Sequence, residues 1–350
     1  MPIYVAQELS DSFSRSDRQY LKSKIKGYKL FFSNSDKFDK NFQQSNIVFG
    51  NIPSEMIEQS FNLEWIQLES AGFSEYMHLE KLNKKIIITN LKGFFAKQVA
   101  QTALASILAI YRGIIKSENL KNKKKWIGDP IRNSLSILEK KNIVLIGNGS
   151  INKCFKNYIR PFNCKTISFN SNSKNSDIIK HLKKAELVIS ALPGTEKTNN
   201  FFDKSKLNSL NKNCIFVNVG RGNSVDEKHL IQILKNYKIR GAALDVTRDE
   251  PIKKNSPLWS LNNVILSQHT GGGSDTETLD KIDFFLDNFK RFKVNKNKLL
   301  NKVNLLKKLF VLSVPGNAEI TNSAFFKFLT ISDLFELELK DIVLQLNGLI

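Results

Sequence analysis

Cysteine is scarce, with only three residues, Cys154, Cys164 and Cys214. An odd number without metal-ligand spacing argues against a disulfide scaffold, names no metal site, and fits a reducing cytoplasm. Long apolar runs are missing too. The longest, around 103–110, is less than half a membrane span, so no membrane partner is expected. The opening MPIYVAQELS has neither a basic n-region nor an apolar h-region, so no secretory signal is expected. Acidic residues are in short supply, 33 against 53 basic, for a formal charge of +20. Lys, Asn, Ile and Phe are all heavily used, and the lysines are scattered rather than gathered into a stripe with interleaved aromatics. The charge therefore reads as compositional drift and not as a nucleic-acid footprint. A hydrophobic fraction of 41% excludes global disorder, and 350 residues exceed the usual single domain.

What is present is rhythm. Over the first ninety residues, IVFG (47–50), EWIQLES (64–70) and KIIITN (85–90) alternate with polar helical stretches, the pattern of βα units around a parallel sheet. The Ala- and Leu-rich stretch 96–115 predicts one long helix, and the polar 117–130 a loop. Six apolar runs follow, at 142–147, 165–170, 186–192, 214–220, 241–246 and 264–269. Near-continuous apolarity means burial on both faces, so they predict a doubly wound parallel α/β sheet. A helix is expected over 275–293. The last forty residues, 311–350, carry two lysines against five acids, and 332–347 reads as an amphipathic helix capped by Ser332 or Asp333.

The strand at 142–147 runs into Gly147, Asn148, Gly149, Ser150, Ile151 and Asn152, then a helix. In a dinucleotide fingerprint the first glycine makes the turn and the second lets the backbone approach a pyrophosphate on the helix N-terminus. The third glycine is replaced by Asn152, which is expected to loosen the turn. An ordinary tight turn would read the same way. At the end of the second strand a carboxylate would bond the ribose hydroxyls and repel a 2′-phosphate. Asn170, Ser171, Asn172, Ser173 and Lys174 stand there instead, a solvated loop or a lean toward NADP over NAD.

The last three strands end in ionisable groups. Arg221 sits between Gly220 and Gly222, Asp245 and Glu250 flank the end of the next strand, and His269 opens a glycine-rich turn with Gly271. Carboxyl ends of parallel strands are where ligands bind. An anion clamp, a proton carrier and a partner for that carrier are delivered to one edge. Singly, these residues read as a surface ion pair, a loop histidine and a solvated acid; together they point to a site. His181 and His229 fall in helices away from that edge, while His78 follows the Gly72 loop.

In order and spacing, ALPGTEKTNNFFDKSKLNSLNKNCIFVNVGRGNSVDEKHL, GAALDVTRDEP and SPLWSLNNVILSQHTGG resemble the D-isomer-specific 2-hydroxyacid dehydrogenase family across 143–272. The likeness extends more faintly to Ser70, Ala71 and Gly72, to 88–100 and to the return helix. The resemblance implies a Rossmann nucleotide-binding domain (95–272) and a flavodoxin-like α/β substrate domain (1–94, completed by 273–310), with a C-terminal extension (311–350). It implies NAD(P)-dependent hydride exchange with C2 of a small 2-oxo or 2-hydroxy acid such as glyoxylate or hydroxypyruvate. His269 would be the acid and base, Glu250 would hold its imidazole, and Arg221 would bind the substrate carboxylate. Backbone amides at Ala71 and Gly72 would take the other side of that carboxylate. The cofactor would meet Gly147, Asn148, Gly149, Ser150, Ile151, Asn170, Ser171, Leu192, Pro193, Thr198, Val219, Gly220, Asp245, His269 and Gly271, with Asp245 positioning the nicotinamide. The family also implies a cytoplasmic homodimer formed through the 96–115 helix and the loop after it. The alternative is a catalytically weak member that senses dinucleotide or binds a partner, motivated by Asn152 and the tail.

Overall fold

β1 (Ile3–Val5), three apolar residues in a polar opening stretch, lies inside a parallel sheet of order β2-β1-β3-β4-β5. The computed structural model describes residues 1–304 apart from 74, 77, 78 and 80–85. The chain divides into two compact units, Met1–Val303 and Asn304–Ile350. The extension 311–350, the helix expected over 332–347, and His78 lie outside the described residues. In the first sheet β1 leads through α1 (Gln7–Ser12) and α2 (Arg15–Lys24) to β2 (Leu30–Phe32). Then come α3 (Lys40–Gln43), β3 (Ile47–Phe49), α4 (Ser54–Gln59), β4 (Trp65–Gln67) and β5 (Ile87–Thr89). The 2-1-3-4-5 order is that of flavodoxin-like sheets, whose carboxyl edge is the ligand edge.

The long helix expected over 96–115 is two. α5 (Ala96–Tyr111) stops at Gly113, which is left-handed at φ +65°, and α6 (Ile114–Asn122) leaves at a bend of 65°. A side chain at Gly113 would meet Leu135 Cδ2 at 2.9 Å, so the bend is packed. Much of the loop expected over 117–130 is therefore helical, through α6 and the short α7 (Asp129–Arg132). No single described helix is long and apolar enough to cross a membrane; α5 and α6 reach that length only as a bent pair.

The second sheet follows the six expected runs. It comprises β6 (Asn142–Ile146), α8 (Ser150–Tyr158), β7 (Lys165–Phe169), α9 (Asn175–Leu182) and β8 (Leu187–Ser190). α10 (Lys204–Asn208), β9 (Ile215–Asn218), α11 (Glu227–Lys235), β10 (Gly241–Leu244) and β11 (Val264–Leu266) complete it, in the order β11-β10-β9-β8-β6-β7. The winding reverses beside β6, which puts the topological switch at the Gly147 turn. Both faces are covered, as the apolar runs require. Val144, Ile146, Val188 and Phe216 pack with α9 and α11, while Ile143, Leu145, Ile189 and Val217 pack with α5 and α8.

α12 (Glu277–Val294) then returns to the first sheet. Ile282, Phe285, Leu286, Phe289 and Phe292 recur at helical spacing and share a core with Ile3, Val5, Ile47, Phe49 and Trp65. The Phe285 ring stacks on Phe49 at 4.3 Å and on Trp65 at 5.4 Å. Beneath them Asn288 Nδ2 donates to Gln67 Oε1 at 2.8 Å, which also accepts from Thr89 Oγ1 at 2.8 Å. Such a fully partnered buried network fixes the helix in one register. The architecture is α/β in two domains, each built on a parallel sheet.

Candidate active site

At the end of β6, Gly147 adopts φ +96°, and a side chain there would meet Ala191 O at 2.9 Å. The chain then enters α8 through Gly149, which has nothing within 4 Å of where a Cβ would stand and caps no first-turn N–H with a side chain. Uncapped N–H groups and the helix dipole make an anion site when the backbone is open, as here. Asn152 does the opposite of loosening this turn. It is 2% exposed, and its Nδ2 donates to Ile146 O at 3.0 Å and Gly147 O at 2.7 Å, tying the turn to the strand end. Its Oδ1 is buried without a partner among the described residues. At the end of β7, Asn170 is exposed; its N–H donates to Ser173 Oγ and its Oδ1 accepts from the Asn172 N–H. No carboxylate stands there, and hydroxyl and ammonium groups do. A dinucleotide fits this donor set.

The groove continues along the next strand ends. Thr198 Oγ1 donates to Pro193 O and closes the turn that follows Leu192. Val219 is buried in the core, so at that position the groove is offered backbone alone. A side chain at Gly222 would sit 1.7 Å from Thr247 O, so only glycine lets the loops after β9 and β10 touch. Asn218 braces this corner, its Nδ2 donating to Arg221 O at 3.2 Å and its Oδ1 accepting from the Gly220 N–H. The Arg221 side chain is exposed, donates from Nη1 to Gly220 O at 2.8 Å, and forms no ion pair among the described residues.

His269 and Glu250 meet at 2.7 Å, Nδ1 to Oε2. Glu250 is itself held, its Oε1 accepting from the Thr247 N–H at 2.9 Å. Gln268 and His269 are both left-handed, at φ +52° and +57°, a strained pair for residues with side chains. Asp245 holds them there. Its backbone carbonyl accepts from the His269 N–H, and its buried Oδ1 accepts from Ser267 Oγ at 2.7 Å and from the Gly271 N–H at 3.0 Å. Beside the pair a cavity of about 230 Å³ opens over Leu244, Ile252, Leu266 and Trp259.

The first sheet supplies the facing wall. Ser70 Oγ donates to Gly72 O at 2.8 Å, Asn90 Nδ2 to Ala71 O at 2.7 Å, and the Leu91 N–H to Ser70 O at 2.9 Å. A Cβ on Gly72 would stand 3.8 Å from Arg221 Nη2, so this loop and the guanidinium face each other. The sequence reading missed the braces Asn218 and Ser267 and misjudged Asn152. A polar residue at the end of an apolar run was the signal for the first two, buried in the case of Asn218. His181 and His229 are taken up by Asp177 O and by Asn208 and Gln232.

Fold and site define a two-domain dinucleotide-binding protein with a histidine–carboxylate pair and an arginine at one sheet edge. A family profile described as the NAD-binding domain of D-isomer-specific 2-hydroxyacid dehydrogenases matches residues 104–271. A glyoxylate reductase of Thermofilum pendens is 28% identical over 231 residues, 62% of this chain and 68% of its own. A glyoxylate/hydroxypyruvate reductase of Arabidopsis thaliana is 26% identical over 269 residues, 74% of this chain and 82% of its own. Among solved structures, a D-isomer-specific 2-hydroxyacid dehydrogenase family protein of Aeromonas salmonicida superposes with TM-score 0.74 at 20% identity, covering 87% of this chain and 99% of its own. Residues 104–271 are thus similar to the NAD-binding domain of the D-isomer-specific 2-hydroxyacid dehydrogenases, and the rest of the described chain shares the fold of their solved structures.

Proposed function

We propose that the protein reduces a small 2-oxo acid to its D-2-hydroxy acid, and runs the reverse oxidation, with His269 as acid and base. The observation that carries this reading is the 2.7 Å contact between His269 Nδ1 and Glu250 Oε2 at the edge that also bears Arg221. A carboxylate only accepts, so Nδ1 carries the proton. Nε2 is then left to give a proton to the C2 oxygen in reduction and to take it back in oxidation. The planar fork of Arg221 matches a carboxylate and polarises the adjacent C2 oxygen. The N–H groups of Ala71 and Gly72 complete the clamp from the facing domain.

Gly147, Asn148, Gly149, Ser150 and Ile151 would hold the cofactor's pyrophosphate; Leu192, Pro193, Thr198, Val219 and Gly220 would line its groove; Asp245 and Gly271 would border its nicotinamide. Held there, the nicotinamide supplies the hydride to C2 and accepts it in reverse. Asn170, Ser171, Ser173 and Lys174 favour NADP over NAD. The relatives named glyoxylate and glyoxylate/hydroxypyruvate reductases support small acids, and one named a 2-ketogluconate reductase supports including a larger 2-oxo acid among the candidates. The domain boundaries 1–94, 95–272 and 273–310 are supported by the two sheets and the return of α12. We infer a homodimer from exposed Trp126, Ile114, Ile127 and Ile137, one of them 97% exposed, on the segment after α5. A cytoplasmic location is supported by three free cysteines.

The test is the nicotinamide absorbance change with NADH and NADPH across glyoxylate, hydroxypyruvate and 2-ketogluconate, with His269→Ala alongside. Turnover that collapses in the variant is expected. Dinucleotide binding without turnover of any acid would overturn the reading in favour of a sensor.

A further inference from the structure

Lys281, on the first turns of α12, is a cation that the chemistry above does not use. Its Nζ lies 3.3 Å from Glu69 Oε2 and 2.8 Å from Glu277 Oε1, and the Lys281 and Glu69 side chains are only 13% and 10% exposed. It also sits 6.0 Å over the Phe95 ring, at the start of α5. Phe95 in turn packs on the other crossing between the sheets, where a side chain at Gly272 would meet its Cδ1 at 3.1 Å. Lys281 thus joins three segments: its own helix, the end of the β4 strand run, and the crossing into α5.

Glu69 is the residue immediately before Ser70, Ala71 and Gly72. Its Oε1 is buried and has no hydrogen-bond partner among the described residues, so among side chains Lys281 holds the carboxylate, through Oε2. Burial pushes the Glu69 carboxyl above its usual range; Lys281 pulls it back, Glu8 on α1 adds to the rise, and the Asn51 N–H opposes it. Burial lowers the Lys281 ammonium, but Glu277 and Glu69 outweigh burial and raise it. A buried ion pair is a poor source of stability, because the charges must be stripped of water. What it provides is a fixed geometry, here for the residue that starts the loop facing Arg221.

We propose that Lys281 is a positioning residue for the substrate carboxylate, holding the loop of Ser70, Ala71 and Gly72 through Glu69 at its distance from Arg221. The proposal rests on the reading of that loop as carboxylate-binding. It acts on where the acid is bound and not on proton transfer, so it separates KM from kcat. The anchor also has a reporter independent of turnover. The Leu91 N–H is protected by Ser70 O, one residue from Glu69.

The experiment compares Lys281→Met, Lys281→Arg, Glu69→Gln and the Lys281→Met/Glu69→Gln double variant in the full chain. Lys281→Met is expected to raise KM for the 2-oxo acid about tenfold, with kcat within about twofold and the dinucleotide Kd unchanged. Amide exchange at Leu91 in the ligand-free protein should quicken, and Lys281→Arg should restore both readouts. The double variant should be no worse than Lys281→Met alone, because the two residues act as one unit. If Lys281→Met fails to fold, Glu69→Gln carries the same KM and exchange readouts. A lowered Tm with wild-type KM and wild-type Leu91 exchange would overturn the proposal and leave a merely structural pair. If the wild-type protein turns over no 2-oxo acid, the proposed function falls and the carboxylate role with it. Faster Leu91 exchange in Lys281→Met would then still establish the anchor.

Discussion

The two sheets present their carboxyl edges to ligand in different ways. The second sheet delivers side chains: Arg221 after β9, Glu250 after β10 and His269 after β11. The first sheet delivers backbone, the peptide groups of Ala71 and Gly72, held by Ser70 and Asn90. Side-chain chemistry needs particular residue types at particular places. Backbone chemistry needs only a loop held in shape, and many sequences can hold one. On the proposed function, specificity of reaction and specificity of substrate reside in different sheets. Proton transfer and anion recognition would fall to the second sheet. The space beside the acid is shaped by how rigidly the first sheet carries its loop.

The largest break in this comparison is His269→Ala. Removing the proposed acid and base should cut kcat roughly a thousandfold while dinucleotide Kd, followed by fluorescence, stays put. Phe285→Ala strikes the first sheet without touching either edge. It empties a stacked position between Phe49 and Trp65, and chemical denaturation should show a loss of about 3–5 kcal/mol. Asn152→Leu tests the tie under the phosphate turn. Removing the Asn152 donor from Gly147 O, and one of the two donors from Ile146 O, which keeps the Ala191 N–H, should weaken dinucleotide binding by about tenfold, with KM for the acid little changed. Gly72→Ala is the gentlest. Its methyl would stand 3.8 Å from Arg221 Nη2, an ordinary contact, so the fold should hold and KM should rise only about twofold to fivefold. A large loss of kcat in Gly72→Ala would show that the backbone edge takes part in the chemistry, and the comparison would need redrawing.

How much of this was legible in the sequence divides along the same line. The second sheet's strands are long apolar runs ended by glycines and ionisable groups, and each run is a strand where expected. In the first sheet β3, β4 and β5 were expected from their runs, while β1 and β2, of the same length, were not singled out. The break after α5 escaped because Gly113 is one glycine in a helical pattern; only the nearness of Leu135 makes it a corner. Asn152 was misjudged for a physical reason. A missing glycine was read as lost closeness between helix and strand, yet the amide replaces that closeness with two hydrogen bonds to the carbonyls it approaches. The Glu69–Lys281 pair spans 212 residues, a separation at which a sequence pattern carries no distance information.

The return of α12 also sets an order of assembly. The first sheet's core is shared between residues near the start of the chain, Ile3 to Trp65, and residues near 282–292. A chain emerging from the ribosome can wind β6 to β11 and close both faces of that sheet with helices already made. The earlier sheet must wait, one apolar face covered only in part by Leu9, Phe13, Leu21 and Ile25, until Phe285 and Phe292 are synthesised. The domain begun first is completed last, and throughout that interval part of the face bearing Phe49 and Trp65 is open to chaperones or to misassociation.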